Sequence, residues 1–420
     1  MLRIDNARWL REDGTWGTGT LLASAEGVRL LPSEASPPPC DRALDGRDAL
    51  VLPGLLDPHV HLREPGQAYK EGITRGTRAA LAGGVTTVLD MPNNRPPTST
   101  EDRLEAKRGR FRRRARAHWG LHVQLTERPE PLDHSRVASA KLYMARSSTD
   151  DAVNAPARLQ EIFRTCPRVT VHAEDEARFP GGGATHHERR PRDAVRSALD
   201  KIGEALEGLP AGTRPRVILC HVATVEELDW LQVMKTRGFD VWGETAPHYA
   251  LYTQEDLLRL GSRLQVNPPL RTAADREAIL EAIARGPIDF VGTDHAPHTP
   301  SEKASLQPPS GIAGIEGLGP WLVSLADQGL IAWPRLLDLG MRNAARCFGL
   351  PVVSGVAEGI PADLVLLRRG TSRRVVTRAR WTPWCDRPPG WVVEATVVRG
   401  RLAWYKGSFP EDGPVEEVYP

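Results

Sequence analysis

The sequence GITRGTRAALAGGVTTVLD, residues 72–90, runs a helix-like stretch (72–82) through two glycines into a short apolar stretch (85–90). Glycine punctuates the first, and the Val- and Thr-rich second suits a strand. Outward from it the same unit repeats. Residues 138–143, 169–172, 216–221, 239–244 and 288–293 are further short apolar runs, and 151–164, 224–237 and 272–285 are helix-like stretches among them. Strands alternating with helices predict a parallel sheet covered on both faces. Roughly eight such units over about 300 residues suit a (β/α)8 TIM-like barrel better than an open sheet. The fold class is therefore α/β.

The two ends have another texture. Residues 1–50 read as short strands, clearest at 20–23 and 28–31, with a Pro-rich surface loop at 32–41. Residues 363–367, 395–399 and 402–405 are short apolar runs between Gly, Pro and charged residues. Both ends are expected to pair in one small β-sandwich domain. Its parts would be residues 1–52 and 350–420, with the barrel spanning 53–349.

A chain of 420 residues has room for one barrel and a satellite domain. Its net charge of +2 lacks the excess a nucleic-acid binder carries. The arginine-rich stretches 110–116 and 189–192 read as solvated helix faces. Five scattered cysteines without a Cys-x-x-Cys pair argue against a disulfide framework and fit a reducing cytosol. No run approaches about 18 consecutive apolar residues, and the N-terminus lacks a signal-peptide pattern. The expectations are a cytoplasmic location, a small-molecule substrate, and neither nucleic acid nor membrane as partner.

Polar residues collect where the apolar runs end. His59 and His61 close the first, Asn93 follows the second, and Lys141 lies within 138–143. His172 and His221 end two later runs, and Asp294 follows the last. Barrel enzymes take their catalytic groups from these carboxyl-terminal strand ends. Residues two apart on a strand share a face, so His59 and His61 can reach one ion. Imidazoles with a carboxylate suit zinc and similar divalent ions. The plain reading of Lys141 is a lysine snorkelling from a strand end. Carbamylated by carbon dioxide, it becomes an anion that can bridge two dications about 3.5–4 Å apart.

Arg63, two residues after His61, would share its face if the strand continues, and can pair bidentately with a carboxylate. Its other reading is an ion pair with Glu64 or Glu71. Asn93 sits in Pro-Asn-Asn, a natural turn, and can also offer a hydrogen bond. Residues 307–319, rich in Gly and Pro, read as an active-site loop.

PGLLDPHVHLREPG (residues 53–66) resembles the signature of the dihydroorotases in the amidohydrolase superfamily, and GTDHAPH (292–298) resembles their second signature. VHAE (171–174), CHVA (220–223) and ETAPH (244–248) fit in order and spacing, so the resemblance spans roughly residues 50–350. AKLY (140–143) is similar to the dihydroorotase domain of the animal multifunctional pyrimidine enzyme. The resemblance implies reversible zinc-dependent hydrolysis of (S)-dihydroorotate to N-carbamoyl-L-aspartate in de novo pyrimidine biosynthesis. It implies two zinc ions per subunit. His59, His61 and Asp294 would hold the more buried ion and His172 and His221 the second. Carbamylated Lys141 and a hydroxide would bridge them, with Asp294 acting as base and then acid; many bacterial relatives carry a bridging Asp in this region, which makes Asp150 or Asp151, slightly downstream, the alternative bridge.

By the same resemblance Arg63, Asn93 and His298 contact the substrate carboxylate, while Asn267 and the Gly311 backbone hold the ring. Residues matching Cys220 and Glu244 take part in a third zinc site in the animal-type domain; the ordinary reading of Cys220 is a small core residue. Ser147 and Ser148 lie on a loop that could match one closing over the substrate in those relatives. A homo-oligomer and a complex with aspartate transcarbamoylase are further expectations. Allantoinases and hydantoinases also use paired metals, but their substrates lack this carboxylate, so Arg63 and Asn93 favour dihydroorotase. A catalytically silent partner of aspartate transcarbamoylase would have lost metal ligands, and each expected ligand type is present here.

Overall fold

The computed structural model describes residues 1–32, 36–127, 132–146, 152–371 and 375–420. Asp150, Asp151, Ser147 and Ser148 lie outside these residues. Leu55–Val60, Val85–Asp90, His118–Leu121 continued by Val123–Gln124, Ala140–Tyr143, Arg168–His172, Arg216–Leu219, Val241–Thr245 and Ile288–Val291 are parallel neighbours in chain order. The ring closes where Val60 pairs with His295 and the His61 amide donates to the His295 carbonyl at 2.8 Å. Nearly every residue of these strands is buried, as a parallel sheet with helices outside requires.

The apolar runs anticipated between residues 85 and 293 all contribute strands of this barrel. The strand at 118–124 was not among them. It is broken at His122 and carries His118 and Gly120, so it offers little apolar pattern. The helices start where side chains can satisfy their first amides. Thr224 and Glu227 form a reciprocal capping box, as do Thr272 and Asp275. The arginine-rich stretch ends the helix Glu101–Arg114. Arg112, Arg113 and Arg114 are exposed there, while Lys107 is wholly buried against Asp90 at 2.6 Å.

The two ends share one eight-stranded sheet. Ala49–Pro53 pairs antiparallel with Leu364–Arg369, setting Val51 opposite Leu366. The expected sandwich takes the form of this single hydrogen-bonded sheet, with a core of its own that includes Ile4, Leu21, Val51, Leu364 and Val397. The last residues then return to the barrel. The Trp119 amide donates to the Glu416 carbonyl at 3.0 Å, the Val418 amide donates to the Trp119 carbonyl at 2.8 Å, and Glu417 accepts from Arg108 at 2.6 Å. Among the described residues no helix is long and apolar enough to cross a membrane. The five cysteines are all unpaired.

Candidate metal and substrate site

Strand ends from around the barrel converge on one cleft. His59 Nε2 and His61 Nε2 lie 3.4 and 3.0 Å from Asp294 Oδ1. The ligand atoms of these three residues all fall within 4.8 Å of one another. His172 Nδ1 lies 3.1 Å from His221 Nε2, and the His221 ring is 5.5 Å from that of His59. The free space between them is about 40 Å³, room for a few water-sized occupants.

Burial holds the His59, His172 and His221 imidazoles below their ordinary value. They are therefore neutral near pH 7, the form that ligates metal. Among the described residues the buried His221 Nδ1 has no hydrogen-bond partner. Burial alone would raise the Asp294 carboxyl, but the neighbouring His59, His61 and His221 outweigh it and hold it low. Neutral imidazoles packed nitrogen to nitrogen around an ionised carboxylate form a donor set that fits divalent ions. Arg63, His221 and Asp294 have φ of 62°, 42° and 45°. Left-handed backbone at non-glycine residues is uncommon and gathers at functional sites.

Lys141 is fully buried, and its Nζ lies 2.9 Å from Cys220 Sγ. Among the described residues no carboxylate pairs with it. Burying a charged side chain without an opposite charge is costly. His59, Cys220 and Glu244 form a second group whose ligand atoms lie within 4.8 Å. Burial pushes the Cys220 thiol well up and Glu244 up to about 8. Glu244 Oε1 meets His59 Nδ1 at 2.6 Å, so it orients the imidazole whose other nitrogen faces Asp294. Gly292 makes this contact possible. A Cβ there would stand 2.8 Å from the Glu244 carboxyl carbon and 2.9 Å from His59 Cβ.

On the substrate side, Arg63 still opens on the cleft although the strand ends at Val60. It is 3% exposed, and its Nε donates to the Pro297 carbonyl at 3.2 Å. It pairs with neither Glu64 nor Glu71. Glu64 is held by Arg110 and Arg114, and Glu71 accepts from Thr377 and Arg378. Asn93 Oδ1 lies 2.6 Å from His61 Nδ1. His298 sits beside Arg63, its Nε2 at 3.1 Å from Arg63 Nη2, with Lys70 on its Nδ1 at 3.1 Å. Asn267 and Gly311 line the cleft. The Gly311 amide donates to the Gln265 carbonyl at 2.8 Å, so what Gly311 can offer a ring is its carbonyl.

Two further residues had no role in the sequence reading. Asp57, fully buried, accepts from the His59 amide and from the Thr293 amide and hydroxyl, tying the first strand end to the last. Glu174 Oε2 lies 3.0 Å from His172 Nε2 and 2.7 Å from Arg190 Nη2. Burial alone would raise the Glu174 carboxyl, but Arg190 and His172 outweigh it and hold it low. A carboxylate on the far nitrogen of an imidazole fixes its tautomer and orientation. The signal was an acid two residues after a strand-end histidine. Glu174→Gln is expected to weaken metal binding at His172 and His221 by about 10–100-fold, the usual cost of such a change. Competition with a chelator reads this, and unchanged affinity would leave Glu174 a packing role alone.

The Amidohydrolase family profile matches residues 50–160, which sets the class. A dihydroorotase of Halobacterium salinarum is 34% identical over 86% of this chain and 90% of its own length. One of Bacillus caldolyticus is 33% identical over 87% and 89%. The chain belongs to the dihydroorotase family of the amidohydrolase superfamily. Among solved structures, the L-hydantoinase (dihydropyrimidinase) of Arthrobacter aurescens superposes with a TM-score of 0.88 at 24% identity, covering 100% of this chain and 99% of that one. A D-hydantoinase (dihydropyrimidinase) from Thermus sp. gives 0.85 at 23%, with the same coverage. At that identity the likeness is one of fold.

Proposed function

We propose that this chain opens and closes the ring of (S)-dihydroorotate, interconverting it with N-carbamoyl-L-aspartate, at a pair of zinc ions. The observation that carries the substrate is Arg63. A buried guanidinium without a carboxylate partner among the described residues opens on the same cleft as the imidazole cluster. A substrate carboxylate satisfies it, and the fork of donors gives that pair its direction.

His59, His61 and Asp294 would hold one ion and His172 and His221 the other, with Lys141 as a carbamate between them. Such ions acidify water and polarise an amide carbonyl. Asp294 accepts the proton of the attacking water and returns it to the departing ring nitrogen. The ring C–N bond breaks as the C–O bond forms, leaving a carboxylate and a ureido group. Glu244 and Glu174 hold the His59 and His172 rings in place. Asn93 offers a hydrogen bond to the substrate carboxylate and Asn267 one to the ring. His298 steadies Arg63. The second group, His59 with Cys220 and Glu244, enters the proposal only as a weaker, additional zinc site, because its thiol is held protonated by burial.

Chelation should abolish dihydroorotate turnover and zinc should restore it; turnover that survives complete metal removal contradicts the reading. Lys141→Met is expected to leave one zinc per chain instead of two. Two ions retained, counted by elemental analysis, would move the bridge to Asp150 or Asp151. The resemblance also brings a homo-oligomer, a cytoplasmic location and an aspartate transcarbamoylase partner into the proposal. Size-exclusion chromatography with and without that partner reads the two assemblies.

A further inference from the structure

The chain between Arg168–His172 and the helix Arg192–Glu207 makes a long excursion over the barrel mouth, and two of its side chains reach the site. Arg190 grips Glu174, as described. The other is His186, in the short helix His186–Arg189. Its Nε2 lies 2.8 Å from the Val266 carbonyl and 3.0 Å from Asn267 Oδ1.

These two distances fix the orientation of the Asn267 side-chain amide, whose oxygen and nitrogen are told apart only by their hydrogen-bond partners. A backbone carbonyl can only accept, so His186 Nε2 carries a hydrogen. The same N–H then needs an acceptor on the Asn267 side, so the nearby side-chain atom is the oxygen and not the nitrogen. This holds whether the imidazole is neutral or charged. With its oxygen turned to His186, Asn267 is left to show its NH2 to the cleft it lines.

We infer that His186 is a specificity-determining positioning residue: by holding the Asn267 oxygen, it makes that wall of the cleft read a hydrogen-bond acceptor, such as a ring carbonyl, and reject a donor. The inference rests on the proposed function for the identity of the ring. The orientation itself rests only on the two contacts. His186 and Asn267 are half-buried, and a site that offers one sense of hydrogen bond discriminates because a mismatched partner leaves polar groups unpaired.

The test is a set of variants assayed with (S)-dihydroorotate. His186→Phe removes the donor and should raise KM up to about tenfold, the worth of one hydrogen bond, with kcat changed far less. His186→Gln, which can return an N–H to the same place, should recover most of that loss. Asn267→Asp replaces the NH2 by a second acceptor and should raise KM well beyond Asn267→Ala. In the double variant His186→Phe/Asn267→Ala the two losses should not add. Zinc content and thermal melting of each variant separate these effects from failure to fold. An unchanged KM in His186→Phe, or Asn267→Asp binding as well as wild type, overturns the inference. Wild-type turnover tests the proposed function separately. If the wild type prefers an uncharged cyclic ureide, the same variants are read with that ring, whose carbonyls make the same demand.

Discussion

Asp294→Asn is expected to lower kcat/KM for dihydroorotate by on the order of 10³–10⁴-fold, the upper range for removing a general acid–base group. The substitution keeps the side chain's shape and an oxygen that can face His59 and His61, which lie 3.4 and 3.0 Å from Oδ1. It removes the ability to take a proton. In this cleft the imidazoles that could substitute are held neutral by burial and turned toward the ligand space. Metal content decides how the loss is read. Inactivity with both ions bound assigns Asp294 the proton shuttle. Inactivity with the ion at His59 and His61 missing assigns it ligation only. Appreciable turnover at full metal content contradicts the shuttle.

Arg63→Lys should cut kcat/KM for dihydroorotate by about 10–100-fold, the range expected when charge-assisted hydrogen bonds are lost. Lysine keeps the charge but replaces the guanidinium fork by a point. It also cannot hold both the Pro297 carbonyl and the His298 side, at 3.2 and 3.1 Å in the wild type, while facing a substrate. Uncharged rings such as dihydrouracil should be hydrolysed no worse by the variant, so the ratio between substrates should fall. Equal losses on both kinds of ring would give Arg63 a structural part only.

How much of this was legible beforehand follows from how each feature is encoded. The barrel strands with continuous apolar runs, such as Val85–Asp90 and Ile288–Val291, stood out because a strand buried on both faces must be apolar throughout. The strand at 118–124 did not, since His118 and His122 break its pattern and find partners far away. His118 meets Asp363, and His122 meets Pro58 and Ser139. The candidate ligand set was visible as repetition: histidines and an aspartate at successive strand ends. Its supports were not. Asp57, Glu174 and His186 contact Thr293, His172 and Asn267. Two of those three contacts join residues more than 80 positions apart, a relation that only the folded barrel creates. The Gly311 amide was equally hidden, because its commitment to Gln265 depends on how two loops meet.

The central claim is that paired metal ions and Arg63 serve one carboxylate-bearing ring. Steady-state turnover of (S)-dihydroorotate, allantoin and dihydrouracil by the zinc-loaded protein tests it most directly. The account predicts turnover of dihydroorotate, with the two uncharged rings slower by orders of magnitude. Comparable or better turnover of allantoin or dihydrouracil would contradict it and leave the metal site without the carboxylate clamp.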